Sequence, residues 1–452
     1  MNTPPSSPGP TIDWLGQLDG DWPTTTLGRV GRFHMGTTFP HSFQGKTNGD
    51  IPFIKVSDFS LADHRGVLST ANNWVSTTTV RHLGGRILPR GCVLYPRVGA
   101  ALLLNQRRLT GHPCVVDDNV RGFEPHSGDP RYWRYLMTLL DMGRITNPGP
   151  VPSVSETQVA AVRVPLPPAD EQRRIANFLD AETARIDALG SSQQRLLALL
   201  SERRAAGVVA AVSGADRGDH SDRVAAKLPW LRTLPAGWQE VRVGLVARMG
   251  SGHTPSRSNP EWWVDCTIPW ITTGEVKQVR SDRIEDLHLT REKISELGLE
   301  NSSAELCPKG TVFLCRTASA GYSGVMGAEM ATSQDFVTWA CGPRLNPYFL
   351  LWCLRAMRPD LLGRLAMGST HKTIYVPDLQ MLRIPLPPLT EQTKIVETIR
   401  RQNREIDVLA DKVRRQGELL TERRQALITA AVTGQFDVST ASGRNVTDGV
   451  SA

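Results

Sequence analysis

Apolar side chains recur at steps of three, four or seven over two long stretches of the chain. The first stretch gives Ile175, Leu179, Ile186, Leu189, Leu196 and Leu200, and the second gives Ile395, Ile399, Ile406, Leu409, Val413 and Leu420. Glu182, Gln193, Gln402 and Gln416 interrupt the stripe. This spacing predicts two helices with a narrow, coiled-coil-like seam. Each follows Pro-Leu-Pro-Pro, which cannot lie inside a helix or a central strand. Asp170 and Thr390 come next as N-cap candidates, and Gly214 and Gly434 stand where a helix-ending glycine belongs. Each helix is expected to run for roughly 40 residues, about 60 Å. Gly190-Ser191-Ser192 weakens the first one, and a kink is expected there.

The two stretches are copies of one another. VPLPPADEQRRI at Val164 to Ile175 returns as IPLPPLTEQTKI at Ile384 to Ile395, an offset of 220. Ile186-Asp187-Ala188-Leu189 answers Ile406-Asp407-Val408-Leu409 at the same offset, and Ser201 to Gly214 answers Thr421 to Gly434. The period is too long for a solenoid, so the chain is two copies of one large unit. The simplest arrangement packs the two helices on each other, and the plain alternative packs each on its own domain. An antiparallel pair would relate the copies by an approximate two-fold axis, with the globular parts at opposite ends of a rod.

The expected division is 1–168 for the first globular domain, 169–214 for the first helix, 215–388 for a linker and the second domain, 389–436 for the second helix and 437–452 for a tail. Short apolar runs at 51–56, 92–95 and 311–314 read as strands, and 131–140 and 348–358 as helices, which makes each domain mixed α/β. Faint ordered matches join the two domains. Ile51-Pro52-Phe53-Ile54 answers Ile268-Pro269-Trp270-Ile271, and Pro89-Arg90-Gly91 with Arg97 answers Pro308-Lys309-Gly310 with Arg316. Asp118 is matched to Asp335 and Pro130 to Pro347. The first eleven residues read as disordered, Ala215 to Ala226 as an exposed connector, and Ser439 to Ala452 as a tail with no core-forming pattern.

With 452 residues, a net charge of +7 and a pI near 9.1, the chain leans mildly toward an acidic partner. The seven cysteines are scattered without a CxxC pair, which points to a reducing cytosol and no zinc site. No run of 18 apolar residues occurs, so a cytoplasmic protein that spans no membrane is expected.

One strip changes that picture. From His64 to Val116 there is no Asp or Glu, while Arg65, Arg81, Arg86, Arg90, Arg97, Arg107 and Arg108 fall within it. Arginine forks suit phosphate and guanine edges, so such a strip suits a polyanion. The alternative is a solvated basic face, or arginines paired with acids elsewhere. In the second domain Arg257, Lys277, Lys309 and Arg316 are candidates for the same role, although acids are interleaved with them.

Catalytic motifs are weak. Asn346-Pro347-Tyr348-Phe349 resembles the adenine-holding loop of amino-methyltransferases but lacks its second proline, and an Asx-Pro pair is also how a helix starts. Asp265 with Glu275-Val276-Lys277 could pass for a nuclease metal site, but reads more simply as a surface turn. No phosphate loop occurs, and His253 and His371 have no partner at metal-ligand spacing.

Two α/β domains, each followed by a Pro-Leu-Pro-Pro-x-x-Glu-Gln helix that ends at glycine, resemble the specificity subunit of type I restriction-modification systems. The resemblance covers about Ile12 to Val438. It implies that the domains are target recognition domains, each reading one half of a split double-stranded DNA site, with the helices as spacer. It implies that the helices dock modification subunits, which bind S-adenosylmethionine and methylate adenine N6. Restriction subunits would add translocation and cleavage driven by ATP and Mg, and this chain would hold no cofactor and catalyse nothing itself. The helix starts, with Glu171, Gln172, Ile175, Glu391, Gln392 and Ile395, are the expected docking positions. A rod of about 60 Å would span on the order of 18 base pairs. Base-reading residues are expected in the unmatched stretches Trp74 to Arg81 and Ser256 to Trp263, while matched Arg97 and Arg316 would hold phosphate or fold. The competing readings are a self-contained DNA methyltransferase or nuclease, and a coiled-coil assembly protein with no DNA role.

Overall fold

The computed structural model describes residues 11–18, 22–147, 149–216, 222–366, 372–436 and 438. The chain before residue 11, the tail from 439, His371 and connector residues 217–221 lie outside the described residues. The chain forms two compact units, one of residues 1–194 with 414–452 and one of residues 195–413. These units cut across the sequential blocks, because each holds one globular domain and part of both long helices.

In the first unit a five-stranded sheet is built from β1 (Gly31–Met35), β2 (Val67–Leu68), β3 (Val93–Pro96), β4 (Arg108–Thr110) and β5 (Val120–Pro125). Its order is β1-β5-β3-β4-β2, antiparallel except for the β2–β4 edge. Helix α1 (Pro130–Leu139) follows, and then the 44-residue helix α2 (Ala169–Val212). The second unit repeats the plan with β6 (Ala247–Ser251), β7 (Asp286–Leu287), β8 (Val312–Cys315), β9 (Ser323–Met326) and β10 (Phe336–Cys341). The order β6-β10-β8-β9-β7 has the same single parallel edge, β7–β9. Helix α3 (Pro347–Asp360) and the 45-residue helix α4 (Leu389–Thr433) complete it.

The central strands are apolar throughout because both their faces are covered. Val93 and Tyr95 pack with α1 and the long-helix segments, whereas Cys92 and Leu94 pack on the opposite face. On β8, Val312 and Leu314 alternate with Phe313 and Cys315 in the same way. This is the period of two expected of a strand buried on both sides. Beyond that opposite face each unit carries a small three-stranded lobe. Ile51–Ile54 is its centre in the first unit, between Trp74–Val75 and Val115–Val116. Ile268–Ile271 is its centre in the second, between Glu292–Ile294 and Ala331–Thr332. The matched Ile-Pro-aromatic-Ile runs are therefore equivalent strands. Register corrects one match: Val120 pairs Pro96 and Phe336 pairs Cys315, so Asp335 is equivalent to Asn119 and not to Asp118.

The long helices pair antiparallel within each unit. In the first, Asp187 faces Arg424 at 3.5 Å, and a Cβ added at Gly417 would lie 3.3 Å from Gln193. In the second, Arg204 pairs with Asp407, and Gly207 lies against Gln402. The two ion pairs are the same pair under the 220-residue offset. Gly214 and Gly434 have φ of +66° and +77°, and Ala215 N–H closes the last turn of α2 onto the Ala210 carbonyl. The Gly190-Ser191-Ser192 weak point stays helical, with both serine hydroxyls donating to carbonyls one turn back, at 2.9 and 3.0 Å. The seam is less complete than the stripe predicts. Ile175, Leu179, Ile186 and Leu200 are buried, but Leu189, Leu196 and Leu409 are exposed. No helix among the described residues is long and apolar enough to cross a membrane.

Candidate DNA-binding surface

The start of each long helix is a joint. Pro-Leu-Pro-Pro delivers Gln172 into the core, where its Oε1 accepts from the Asp129 N–H (3.2 Å) and its Nε2 donates to the Pro167 carbonyl (2.9 Å). Gln392 does the same with the Asn346 N–H (2.8 Å) and the Pro387 and Arg344 carbonyls (2.9 and 3.0 Å). Asp129 and Asn346 are themselves the N-caps of α1 and α3, each followed by proline at N1. The Asn-Pro-Tyr-Phe motif is thus a helix start.

This corrects the docking expectation for Gln172, Gln392 and Ile175. All three are buried and turned toward their own unit, so no partner can reach them. Ile395 is half-buried against the second unit's core. Glu171 pairs with Arg174, and Glu391 accepts from Trp238 Nε1 at 3.2 Å. The large apolar residues of the long helices that are exposed instead are Leu189 and Leu419 in the first unit, and Leu196, Leu199, Leu389, Val408 and Leu409 in the second.

The basic candidates divide in two. Arg107 is only 1 % exposed, donates to the Leu140 carbonyl (3.1 Å) and lies over the Tyr95 ring. Burial pulls its pKa down to about 10. It cannot meet DNA, which corrects that assignment. Arg107→Ala is expected to cost about 1–3 kcal/mol, by leaving the Leu140 carbonyl unpaired and a void beneath Tyr95. Arg107→Ala with unchanged melting but altered DNA binding would refute this placement. Arg108 is half-buried, with its Nε on the Phe59 carbonyl at 2.8 Å. Arg97 and Arg316 send Nε to carbonyls of the turn before the last sheet strand, at Asp118 (2.7 Å) and Gln334 (2.9 Å). Both hold the same turn.

Arg81, Arg86 and Arg90 are exposed and form no ion pair among the described residues. They lie on one short run, in which helix Thr77–His82 ends at Gly84 (φ +65°) and the chain returns through the Leu88–Cys114 bridge. Arg90 and Lys309 precede Gly91 and Gly310 in equivalent turns, with φ of +88° and +87°. Lys277 is also exposed and forms no ion pair among the described residues. Arg257 is held flat on Trp263, 4.1 Å from its centroid, and reaches Glu292 at 3.3 Å.

Both stretches expected to read bases, Trp74 to Arg81 and Ser256 to Trp263, lie on the three-stranded lobes. Sequence reading missed Lys46, exposed on the loop whose carbonyl at Lys46 receives the Trp74 N–H at 2.7 Å. A single lysine outside the acid-free strip gives no pattern; only the fold brings it to Trp74.

The suspected nuclease carboxylate is structural. Glu275 is buried, accepts from the Arg291 N–H (2.9 Å) and Gln278 Nε2, and has its equivalent in buried Asp58, which accepts from the Lys55 N–H at 2.7 Å. No group of His, Cys, Asp or Glu among the described residues could hold a metal ion.

A family model described as type I restriction modification DNA specificity domain matches residues 19–196 and again 235–413. The type I restriction enzyme EcoBI specificity subunit of Escherichia coli is 20% identical over 439 residues, 94% of this chain and 88% of that protein. The MjaIX specificity subunit of Methanocaldococcus jannaschii is 25% identical over 190 residues, 41% of this chain and only 42% of that protein. Among solved structures, a chain of a type I R-M system aligns over 93% of this chain and 99% of its own, with 18% identity and a TM-score of 0.65. The HsdS subunit from Thermoanaerobacter tengcongensis aligns over 93% and 98%, with 20% identity and a TM-score of 0.50.

Proposed function

Because the chain belongs to the family of type I restriction-modification DNA specificity subunits, we propose that each of its two units reads one half of a split DNA site. The chain is the recognition component of such a system, not its catalyst. The observation that carries the half-site reading is the double family match, one copy over each unit, with a three-stranded lobe on both.

In this reading the lobes meet base edges, with Arg257 preorganised on Trp263 for a guanine edge. Arg86, Arg90 and Lys309 hold phosphate. Arg97→Ala and Arg316→Ala should weaken binding to all sequences alike, because both arginines shape a turn common to the two units. A changed order of preference among DNA sequences would sink that assignment.

The partner subunits are modification subunits that bind S-adenosylmethionine and methylate adenine N6, and restriction subunits that use ATP and Mg. The complex works on cytoplasmic DNA. The helices meet the modification subunits through exposed Leu196, Leu199, Val408 and Leu409, beside a groove of about 330 Å³ lined by Leu200, Arg203 and Gln402. Mapping adenine methylation across the genome with and without this chain tests the reading. A two-part motif should vanish on deletion; an unchanged methylation map would refute it.

A further inference from the structure

We propose that the order of the two recognition domains along the chain is fixed by an ionic key of opposite sign at the two joints, so that each domain seats only on its own helix. Asp180 of α2 and Arg400 of α4 occupy the same position of the repeat, 220 residues apart. In the first unit the helix supplies the anion. Asp180 takes Arg131 at 2.8 Å, the Tyr135 hydroxyl at 2.8 Å and Arg134 at 3.7 Å. In the second unit the helix supplies the cation. Arg400 Nε donates to Glu285 at 2.9 Å and its guanidinium stacks on Tyr348, while Trp352 Nε1 donates to the other Glu285 oxygen at 3.1 Å.

The inversion is compensated inside each domain. Strand register makes Val67 equivalent to Asp286, and the Leu109 and Val325 N–H groups donate to the Gly66 and Glu285 carbonyls. Glu285 therefore stands where the first domain has Gly66. A Cβ at Gly66 would come within 3.1 Å of Arg134 Nη1, so the glycine leaves the space that this guanidinium fills. Counting from the equivalent caps Asp129 and Asn346, Arg134 is replaced by Leu351, which is buried and uncharged. Three positions thus change together: Gly66, Arg134 and Asp180 become Glu285, Leu351 and Arg400.

Exchange of the domains would set Arg134 against Arg400 and Glu285 against Asp180. These groups are poorly solvated: Asp180, Arg134 and Glu285 side chains are 11%, 8% and 12% exposed. Asp180 is the only ionic partner of Arg134 among the described residues. Like charges with so little water between them are strongly disfavoured, and breaking a buried pair costs more than a surface pair ever contributes.

The test uses three full-length chains: the parent, one with residues 22–168 and 238–388 exchanged, and the same exchange carrying Asp180→Arg and Arg400→Asp. Melting needs no DNA, so it judges the key independently of the DNA reading. The exchanged chain should melt roughly 5–15 °C below the parent, and the two substitutions should recover most of that loss. An exchanged chain as stable as the parent, or a compensated chain no better than the uncompensated one, would overturn the proposal.

Discussion

Replacing Gln172 by alanine is expected to cost the first unit about 3–5 kcal/mol, and Gln392→Ala should cost the second about as much. Each carboxamide is fully enclosed and satisfies backbone groups on both sides of it. Truncation leaves the buried Pro167 carbonyl and the part-buried Asp129 N–H without this partner, and opens a void at the base of a long helix. The same joint can be broken from its other side. Gly128 has φ +85°, and a Cβ there would stand 2.0 Å from Gln172 Oε1. Gly128→Ala should therefore destabilise the first unit through both strain and displacement of the amide. Glu171→Ala is the control, since its pair is with a solvent-exposed Arg174 on the same helix and such a pair adds little to stability. Thermal or urea melting of the chain without partners decides the matter. Unchanged melting in Gln172→Ala would return this residue to a docking role.

Combined replacement of Arg81, Arg86 and Arg90 by alanine is expected to weaken DNA binding about 100-fold near physiological salt. The slope of log affinity against log salt should shrink by about 2, roughly one for each phosphate contact released at Arg86 and Arg90. The three guanidiniums are exposed and free of ion pairs among the described residues, so their charge is fully available to a polyanion. Melting should hardly move. Arg257→Ala should reduce the slope less, because Glu292 already offsets that charge in the free protein. Titrations at several salt concentrations separate the two. An unchanged slope in the triple variant would remove the run from the DNA-binding surface.

The large features were legible because they depend on periodicity. The stripe from Ile175 to Leu200 and the proline signature located both long helices, and the 220-residue offset showed that the unit occurs twice. The Asx-Pro pairs gave the helix starts because capping is local chemistry. What sequence could not supply was direction. Arg107 and Arg86 look alike in the acid-free strip, yet one lies under Tyr95 and the other faces water. Gln172 looks like a polar face residue of an amphipathic helix until the fold brings the α1 cap against it. The joint at Asp180 was equally hidden, since its partners come from a segment 45–49 residues away.

Each lobe rests on an apolar cluster of its own. Phe39, Phe53, Val75, Val80 and Val115 form one, and Trp270, Ile294, Ala304 and Ala331 the other, apart from the clusters that bind sheet to helix. Substitutions in one such cluster should add to those in the next with little interaction. Selection can therefore remodel what the loops recognise while the frame that carries them is left unstrained. A chain built this way can acquire new targets by gradual drift, one lobe at a time.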